Sequence, residues 1–275
     1  MRRLTLVCAA AAAVLAVAAG AATPASIVAR LNQQRVANGI PGGIVLNQQW
    51  TTGCEHHVRY EELNGIAWTH VETPGKPGFT KDGQLAAIEG DQQSGLGSFD
   101  SGNPFENLPL HLANLIAPTL HEIGAYESGG RTCIVVLGGL ARMFTANQIF
   151  VYPKRSGVPA SQRVHNEEPA APGDVVGLPQ GTTTGPTIYV FPEGPWLDEG
   201  NPTMTAYKLL GPGGPVAVRL VDPRKHPKIG YYAPRGMFFL IPVAPLRSGS
   251  TYRASVTIRS AHGTTLTKSW AFRTG

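Results

Sequence analysis

Cysteine is scarce in this sequence: 275 residues contain three, Cys8, Cys54 and Cys133. So few leave no material for a disulfide-dense scaffold or for paired Cys-x-x-Cys metal knuckles. No Gly-x-Ser-x-Gly elbow, Walker loop or His-Glu-x-x-His pair occurs, which removes the local signatures of the common serine hydrolases, nucleotide-binding loops and zinc peptidases. Basic residues are not interleaved with aromatics in any recognised module, and nucleic acid is therefore not an expected partner. After residue 19 no apolar run approaches the roughly 20 residues that a spanning helix needs. There is no internal repeat of useful length.

What is present begins with export. Met1-Arg2-Arg3 precedes an apolar, alanine-rich run over residues 4–19, then Gly20-Ala21-Ala22 and Thr23-Pro24. A basic start, a short apolar stretch and a small-residue exit predict a secretory signal over 1–22, cleaved near Ala22. The expected location is secreted, extracellular or cell-wall associated. Loss of the signal removes Cys8, and Cys54 with Cys133 then forms an even pair in an oxidising compartment, for which a disulfide is predicted. Charge divides the remainder. Residues 26–147 carry 7 Lys or Arg against 11 Asp or Glu, a balance of −4, whereas residues 148–275 carry 14 against 7, a balance of +7. Opposite signs predict a boundary between the halves and an anionic partner for the second.

Helical spacing dominates the first half. Ile27, Val28, Leu31 and Arg35 share one face of a predicted helix over 26–36. Trp50, Cys54, His57, Val58 and Glu61 do the same over 46–63. The adjacent His56 and His57 point apart on such a helix, so one is expected to pack and the other to meet solvent. Residues 73–78 are a loop. A third helical run over 107–123 is broken by Pro118, with Gly124 expected as its cap and His121 pairing with free helix-end carbonyls. Residues 132–137 and 149–152 read as buried strands. Prolines and glycines recur from Pro153 to Gly185, after which short extended runs over 187–191, 206–210, 216–221, 237–241, 251–258 and 265–272 predict a β-sandwich. In the run over 251–258, Tyr252, Ala254, Val256 and Ile258 alternate with polar residues, as in a strand with one dry face.

The first half resembles the CAP superfamily, the secreted domain of cysteine-rich secretory, antigen 5 and pathogenesis-related proteins, in its bacterial form. The residues that carry the likeness are Leu31-Asn32-x-x-Arg35-x-x-x-Gly39, Gly53-Cys54-x-x-His57-x-x-Tyr60, Trp68-Thr69-His70, and Pro109-Leu110-His111-x-x-Asn114-Leu115-Ile116-x-Pro118 before Ile123-Gly124. The resemblance implies an α-β-α sandwich with a cleft in which two histidines and one or two glutamates hold a divalent metal such as zinc. His70 and His111 match the histidines. The family's Gly-Glu-Asn motif has no clear copy, which leaves Glu89 and Glu106 as the acid candidates. The second half is similar to bacterial immunoglobulin-like modules, through Phe239-Leu240-Ile241-Pro242, Ser248-Gly249-Ser250-Thr251-Tyr252 and Trp270-Ala271-Phe272-Arg273-Thr274. Its basic loop offers Arg224, Lys225 and Lys228 as surface-binding candidates for wall polymer or anionic lipid.

The expected fold class is thus α+β: a CAP-like α-β-α sandwich over 24–147, a Pro/Gly-rich linker and the first part of the C-terminal module over 148–185, and an all-β immunoglobulin-like sandwich over 186–275. The expected role is extracellular binding by a monomer, with a small ligand, lipid or surface polymer as partner. A metal-dependent hydrolase and a polyanion-binding adhesin are the alternatives.

Overall fold

The computed structural model describes residues 21–165, 167 and 169–275. The predicted signal lies outside them except for Ala21 and Ala22, of which Ala22 is buried with its N–H donating to Glu127 Oε1 at 3.1 Å. The chain is α+β. Its first half runs α1 (Pro24–Ala37), β1 (Val45–Leu46), α2 (Gln48–Leu63), α3 (Lys81–Glu89), β2 (Gly90–Ser94), α4 (Pro109–Leu115), β3 (Glu122–Ser128) and β4 (Arg131–Val135). The second runs β5 (Gln148–Tyr152), β6 (Gln162–Arg163), β7 (Thr183–Thr184), β8 (Ile188–Glu193), β9 (Thr203–Gly211), β10 (Gly214–Pro215), β11 (Val218–Val221), α5 (Pro227–Gly230), β12 (Phe238–Pro242), β13 (Thr251–Arg259) and β14 (Thr265–Arg273).

Local chemistry sets the helix starts. Thr23 caps α1, its hydroxyl accepting from Ser26 N–H, with Pro24 at the first position; Asn47 caps α2 through Trp50 N–H and Thr80 caps α3 through Gly83 N–H. The strands of the first half form one sheet in the order β1-β3-β4-β2. Alternation along β3 and β4 sends Ile123, Ala125 and Ile134 into a core with Ile27 and Leu31 of α1 and Leu115 of α4. It sends Cys133 and Val135 to the other side, against Cys54 and Val58 of α2 and Ala86 of α3. Cys54 and Cys133 are joined by the predicted disulfide, which fastens α2 to the sheet with 5.4 Å between the Cα atoms. Two glycines allow the layers their spacing. A Cβ on Gly53 would lie 2.9 Å from Asp82 O of α3, and one on Gly124 would lie 2.4 Å from the Trp50 backbone of α2. Gly124 is accordingly a strand residue under α2, not the helix cap that its sequence position suggested. The helical run of which it was the expected end stops at Leu115, because Pro118 cannot continue it.

In the second half, the sheets β10-β9-β13-β14 and β11-β12-β8-β5 face each other across a core that includes Tyr252, Val256, Ile258, Trp270, Val190 and Leu240. The alternate residues of β8 and β12, among them Tyr189, Phe191, Phe239 and Ile241, turn the other way and pack on Leu112, Ala113 and Ile116 of α4. That sheet is covered on both faces, which is why β8 and β12 are buried at every position and why Phe238-Phe239-Leu240-Ile241 is continuously apolar instead of alternating. Residues 148–185 do not behave as a free linker. β5 is the edge of the second sheet, paired from Gln148↔Glu193 to Tyr152↔Tyr189, and Val158, Val164, Ala171 and Leu178 beyond it are buried.

Candidate functional site

His70 and His111 stand 41 positions apart in sequence, and the fold sets their rings side by side, with centroids 6.4 Å apart and planes 23° from parallel. His70 follows the 46–63 helix and its turn, with Nδ1 2.7 Å from Ala87 O of α3 and its ring edge-on to Trp68. His111 is the third residue of α4, buried, with Phe105 on its other side at 6.0 Å. Helix α4 starts at Pro109 without a side-chain cap from its own N-cap residue. A carboxylate from the second half supplies one: Glu167 Oε1 accepts from Leu110 N–H at 2.9 Å and from His111 N–H at 3.3 Å, and lies 3.1 Å from His111 Nδ1. An anion at this helix start answers the unpaired N–H groups and the helix dipole together.

Beside the two imidazoles opens a cleft of about 640 Å³. Its floor carries Asp91, the second residue of β2, and Asn114 of α4, whose amide nitrogen approaches Asp91 Oδ1 at 3.5 Å. Asp91 Oδ2 and Asn114 Oδ1 are buried and have no hydrogen-bond partner among the described residues. Burial pushes the Asp91 carboxyl up to about 7, against the opposing pull of His111 and Asn114. The mouth is apolar and aromatic: Ile88 and Leu137 from the first half, and Tyr231 and Tyr232 from the turn after α5, their rings 5.0 Å apart. Tyr231 is 82 % exposed and Ile88 56 %. The cleft therefore joins both halves of the chain, with lone pairs awaiting donors at its base and hydrophobic surface at its entrance.

Of the acid candidates, Glu89 lines this cleft, half-buried at the end of α3. Glu106 does not. It sits on the short helix Pro104–Asn107 and accepts from Gln34 Nε2 at 3.0 Å, with Arg155 Nη2 3.4 Å away, because its helix turns toward α1 and β5. Two further carboxylates that the sequence does not offer by motif accompany the imidazoles: Glu167, 3.1 Å from His111 Nδ1, and Asp91, which lines the same cleft. Asp91 was within reach: Gly90-Asp91-Gln92 is Gly-Glu-Asn with each polar side chain changed by one methylene, and a match by chemistry instead of identity finds it. For Glu167, Tyr231 and Tyr232 no local signal existed, since only the packing of the two halves brings them here.

His56 and His57 divide as expected, one toward solvent and one buried. His56 pairs with Asp82 at the surface, Nδ1 to Oδ2 2.8 Å. His57 is fully buried between Glu72 (3.0 Å) and Glu61 (3.3 Å); burial opposes its charge, but the two glutamates outweigh that and raise its pKa. His121 does bond a carbonyl, Gly139 O at 2.7 Å, but at the end of the short 3-10 helix Leu137–Gly139 and not of the 107–123 run. In the basic loop, Arg224 is spent on Asp222 through two 2.8 Å contacts and lies over the Phe238 ring. Lys225 and Lys228, on the turn and on α5, are not part of that pair.

A zinc site needs three or four donors converging at about 2 Å. Among the described residues no group of three or more His, Cys, Asp or Glu side chains is disposed to hold an ion. Nδ1 is already engaged in both imidazoles, so coordination would have to run through Nε2. Among the described residues the donor set does not make a preformed zinc centre.

Asp91, Glu193, Glu167 and His57 share one pH signature, the first three raised by burial. Asp91 is raised to about 7 and Glu193 of β8 to about 8, both by burial, and His57 is raised by its glutamates. Each takes up protons more readily folded than unfolded, so its stabilising contribution is complete below the unfolded pKa and is lost as pH rises through the folded one. A tenfold change in proton affinity is worth about 1.4 kcal/mol, and local relaxation with water entry around the ionised carboxylates absorbs part of the sum. Stability should thus fall by on the order of 3 kcal/mol between pH 4 and pH 8. Guanidinium melts across that range check it, and Glu193→Gln should flatten the slope above pH 5. A midpoint that rises toward pH 8 would contradict the assignment.

No family model and no curated protein matches this chain. Among solved structures, it is similar to the copper resistance protein PcoC of Escherichia coli at 20 % identity, over 32 % of this chain and 82 % of that one, with a TM-score of 0.23. That score supports no argument about fold or ligand.

Proposed function

We propose that the chain is an exported CAP-like domain joined to an immunoglobulin-like sandwich, and that it binds a small amphipathic ligand in the cleft between His70, His111 and the paired tyrosines. What carries the reading is the cleft's gradient: two unpartnered buried acceptors, Asp91 Oδ2 and Asn114 Oδ1, below an apolar mouth. Burying acceptors without donors costs about 1–3 kcal/mol each, a cost a ligand head group with N–H or O–H donors relieves. The mouth takes the apolar body. Its volume of about 640 Å³ falls in the roughly 300–1,000 Å³ range of small-molecule sites. The meeting of His70 and His111 across a helix-flanked sheet supports the CAP likeness, and the two facing sheets support the immunoglobulin-like one. Binding without covalent chemistry is the proposed role; a divalent cation between the imidazoles is the alternative, favoured only by the carbonyl and carboxylate that orient their Nδ1 atoms.

The test is titration of the mature protein with a dansyl-labelled alkylamine, followed by fluorescence. Saturable binding is expected, weakened about tenfold, or ~1.4 kcal/mol, in the exposed-site variant Ile88→Asp and again in Tyr231→Ala/Tyr232→Ala. Wild-type affinity in both variants would place the probe elsewhere and sink the reading. Calorimetric uptake of zinc with displacement of the probe would transfer the site to the metal alternative.

A further inference from the structure

Sharing only His111 with the cleft is a smaller hollow of about 200 Å³. Its lining is polar where the cleft's is apolar. Gln92, Gln93 and Ser94 of β2 form one wall, Glu167 and the His111 ring another, and half-buried Trp68 a third. Leu96 and Gln180, both exposed, stand at its opening.

The hydrogen-bond inventory says what could occupy it. The two buried amide donors of the wall are already used. Gln92 Nε2 bonds Ala86 O at 3.1 Å, and Gln93 Nε2 bonds Thr132 Oγ1 at 2.6 Å and Gly97 O at 3.2 Å. Acceptors remain: Gln92 Oε1 and Glu167 Oε2 are buried with no partner among the described residues, on side chains only 4 % and 3 % exposed. An occupant that answers both acceptors donates at two points or more. It need not bring a positive charge, because Glu167 already faces the start of α4, two backbone N–H groups and the His111 ring through its other oxygen. At about 200 Å³ the hollow is below the roughly 300–1,000 Å³ of drug-sized pockets, yet several times the ~30 Å³ share of one water. One small ring fits. Trp68 offers an electron-rich face, and C–H groups with partial positive charge pack on such a face. Several hydroxyl donors around a ring with an apolar C–H face describe a sugar.

We propose that this hollow is a saccharide subsite for a single neutral pyranose unit, whose hydroxyls donate to Gln92 Oε1 and Glu167 Oε2 while its C–H face lies on Trp68. It is distinct from the cleft and does not rest on the cleft's ligand; the two share only the His111 wall. A sugar seated here would bury acceptors that the fold leaves unanswered, and a longer glycan would continue outward past Leu96 and Gln180. The assignment gives an exported protein a direct means of holding glycan ends.

Saturation-transfer NMR on the mature full chain tests it, with glucose, galactose, mannose and N-acetylglucosamine as neutral probes and methylammonium and guanidinium as cationic ones. At least one neutral sugar should receive transfer, strongest on the ring C–H protons of one face, with roughly millimolar affinity. Trp68→Ala should weaken it at least tenfold and Trp68→Phe should restore part of the loss, each variant checked for an unchanged far-ultraviolet spectrum. Gln92→Glu, which keeps the acceptors, should retain binding, and if Trp68→Ala fails to fold this variant and Trp68→Phe carry the comparison. Tyr231→Ala/Tyr232→Ala strips the cleft mouth and should leave the sugar signal unchanged, so the two sites fail separately. The proposal is overturned by silence from every neutral sugar on folded wild-type protein, by transfer to the cations alone, or by undiminished sugar binding in a folded Trp68→Ala.

Discussion

Arg35→Met should cost the folded protein about 4 kcal/mol, the largest loss expected from any single side chain here. The guanidinium is fully buried and donates to four backbone carbonyls: Pro41 O at 2.9 Å, Leu115 O at 2.9 Å, Ala117 O at 2.8 Å and Leu120 O at 3.2 Å. Leu115 ends α4, so Arg35 closes the helix that carries His111 and Asn114 and fastens it to α1. Burial and the neighbouring Arg142 lower its pKa to about 9, still above neutrality, and it binds the carbonyls as a cation. Methionine keeps an unbranched apolar stem but is shorter and has no donor. Each buried acceptor left without a partner costs about 1–3 kcal/mol, and relief from burying a charge offsets part of the sum. At roughly 2–4 °C per kcal/mol for a chain of this size, the melting temperature should drop by about 8–16 °C. Arg35→Lys should recover only part of this, since one ammonium cannot span four carbonyls in the plane of a guanidinium fork. A loss below about 1 kcal/mol in Arg35→Met, by chemical denaturation, would show that water or a shifted backbone satisfies the carbonyls.

Opening the Cys54–Cys133 disulfide should have a similar effect by another route. The bridged residues are 79 positions apart, and closing a loop of that length removes conformational freedom from the unfolded chain worth about 4 kcal/mol at 25 °C in the chain-entropy account. Both cysteines are fully buried between α2 and β4, so the Cys54→Ser/Cys133→Ser variant adds two hydroxyls to a dry layer and should lose somewhat more than the reduced wild type. The denaturation midpoint with and without reductant is the measurement. An unchanged midpoint would mean that the unfolded chain is already held compact over this loop. Gln92 Nε2 lies 3.5 Å from Cys133 Sγ, so reduction should also loosen the wall of the smaller hollow, visible as weaker sugar transfer at a temperature where the protein is still folded.

Much of the architecture was legible without coordinates, because it depends on neighbours in sequence. The 3.6-residue spacing of Ile27, Leu31 and Arg35, that of Trp50, Cys54, His57, Val58 and Glu61, and the alternation of Tyr252, Ala254, Val256 and Ile258 are local patterns, and each became the element it predicted. The cysteine pair was legible for a similar reason: two thiols outside the predicted signal leave one pairing. Local pattern misled where a distant contact governed the residue. Gly124 looked like a helix cap and is a strand glycine because Trp50 lies against it. Glu106 looked like a cleft acid and belongs to Gln34 and Arg155.

The primary structure alone thus determined α1, α2 and most strands of the second half, where the cysteines pair, and that two histidines merit attention, since periodicity and composition act over a few residues, whereas α3, β2 and β3 went unpredicted. Only the tertiary structure decided that Asp91 and Glu167, and not Glu106, stand beside those histidines, that α4 is capped by a carboxylate 57 positions away from Leu110, and that the tyrosines of the second half close the cleft of the first. The reason is physical. A buried polar group takes its meaning from whichever partner packing brings to it, and the sheet β11-β12-β8-β5, covered on both faces, presses the two halves into one body in which those partners come from far along the chain.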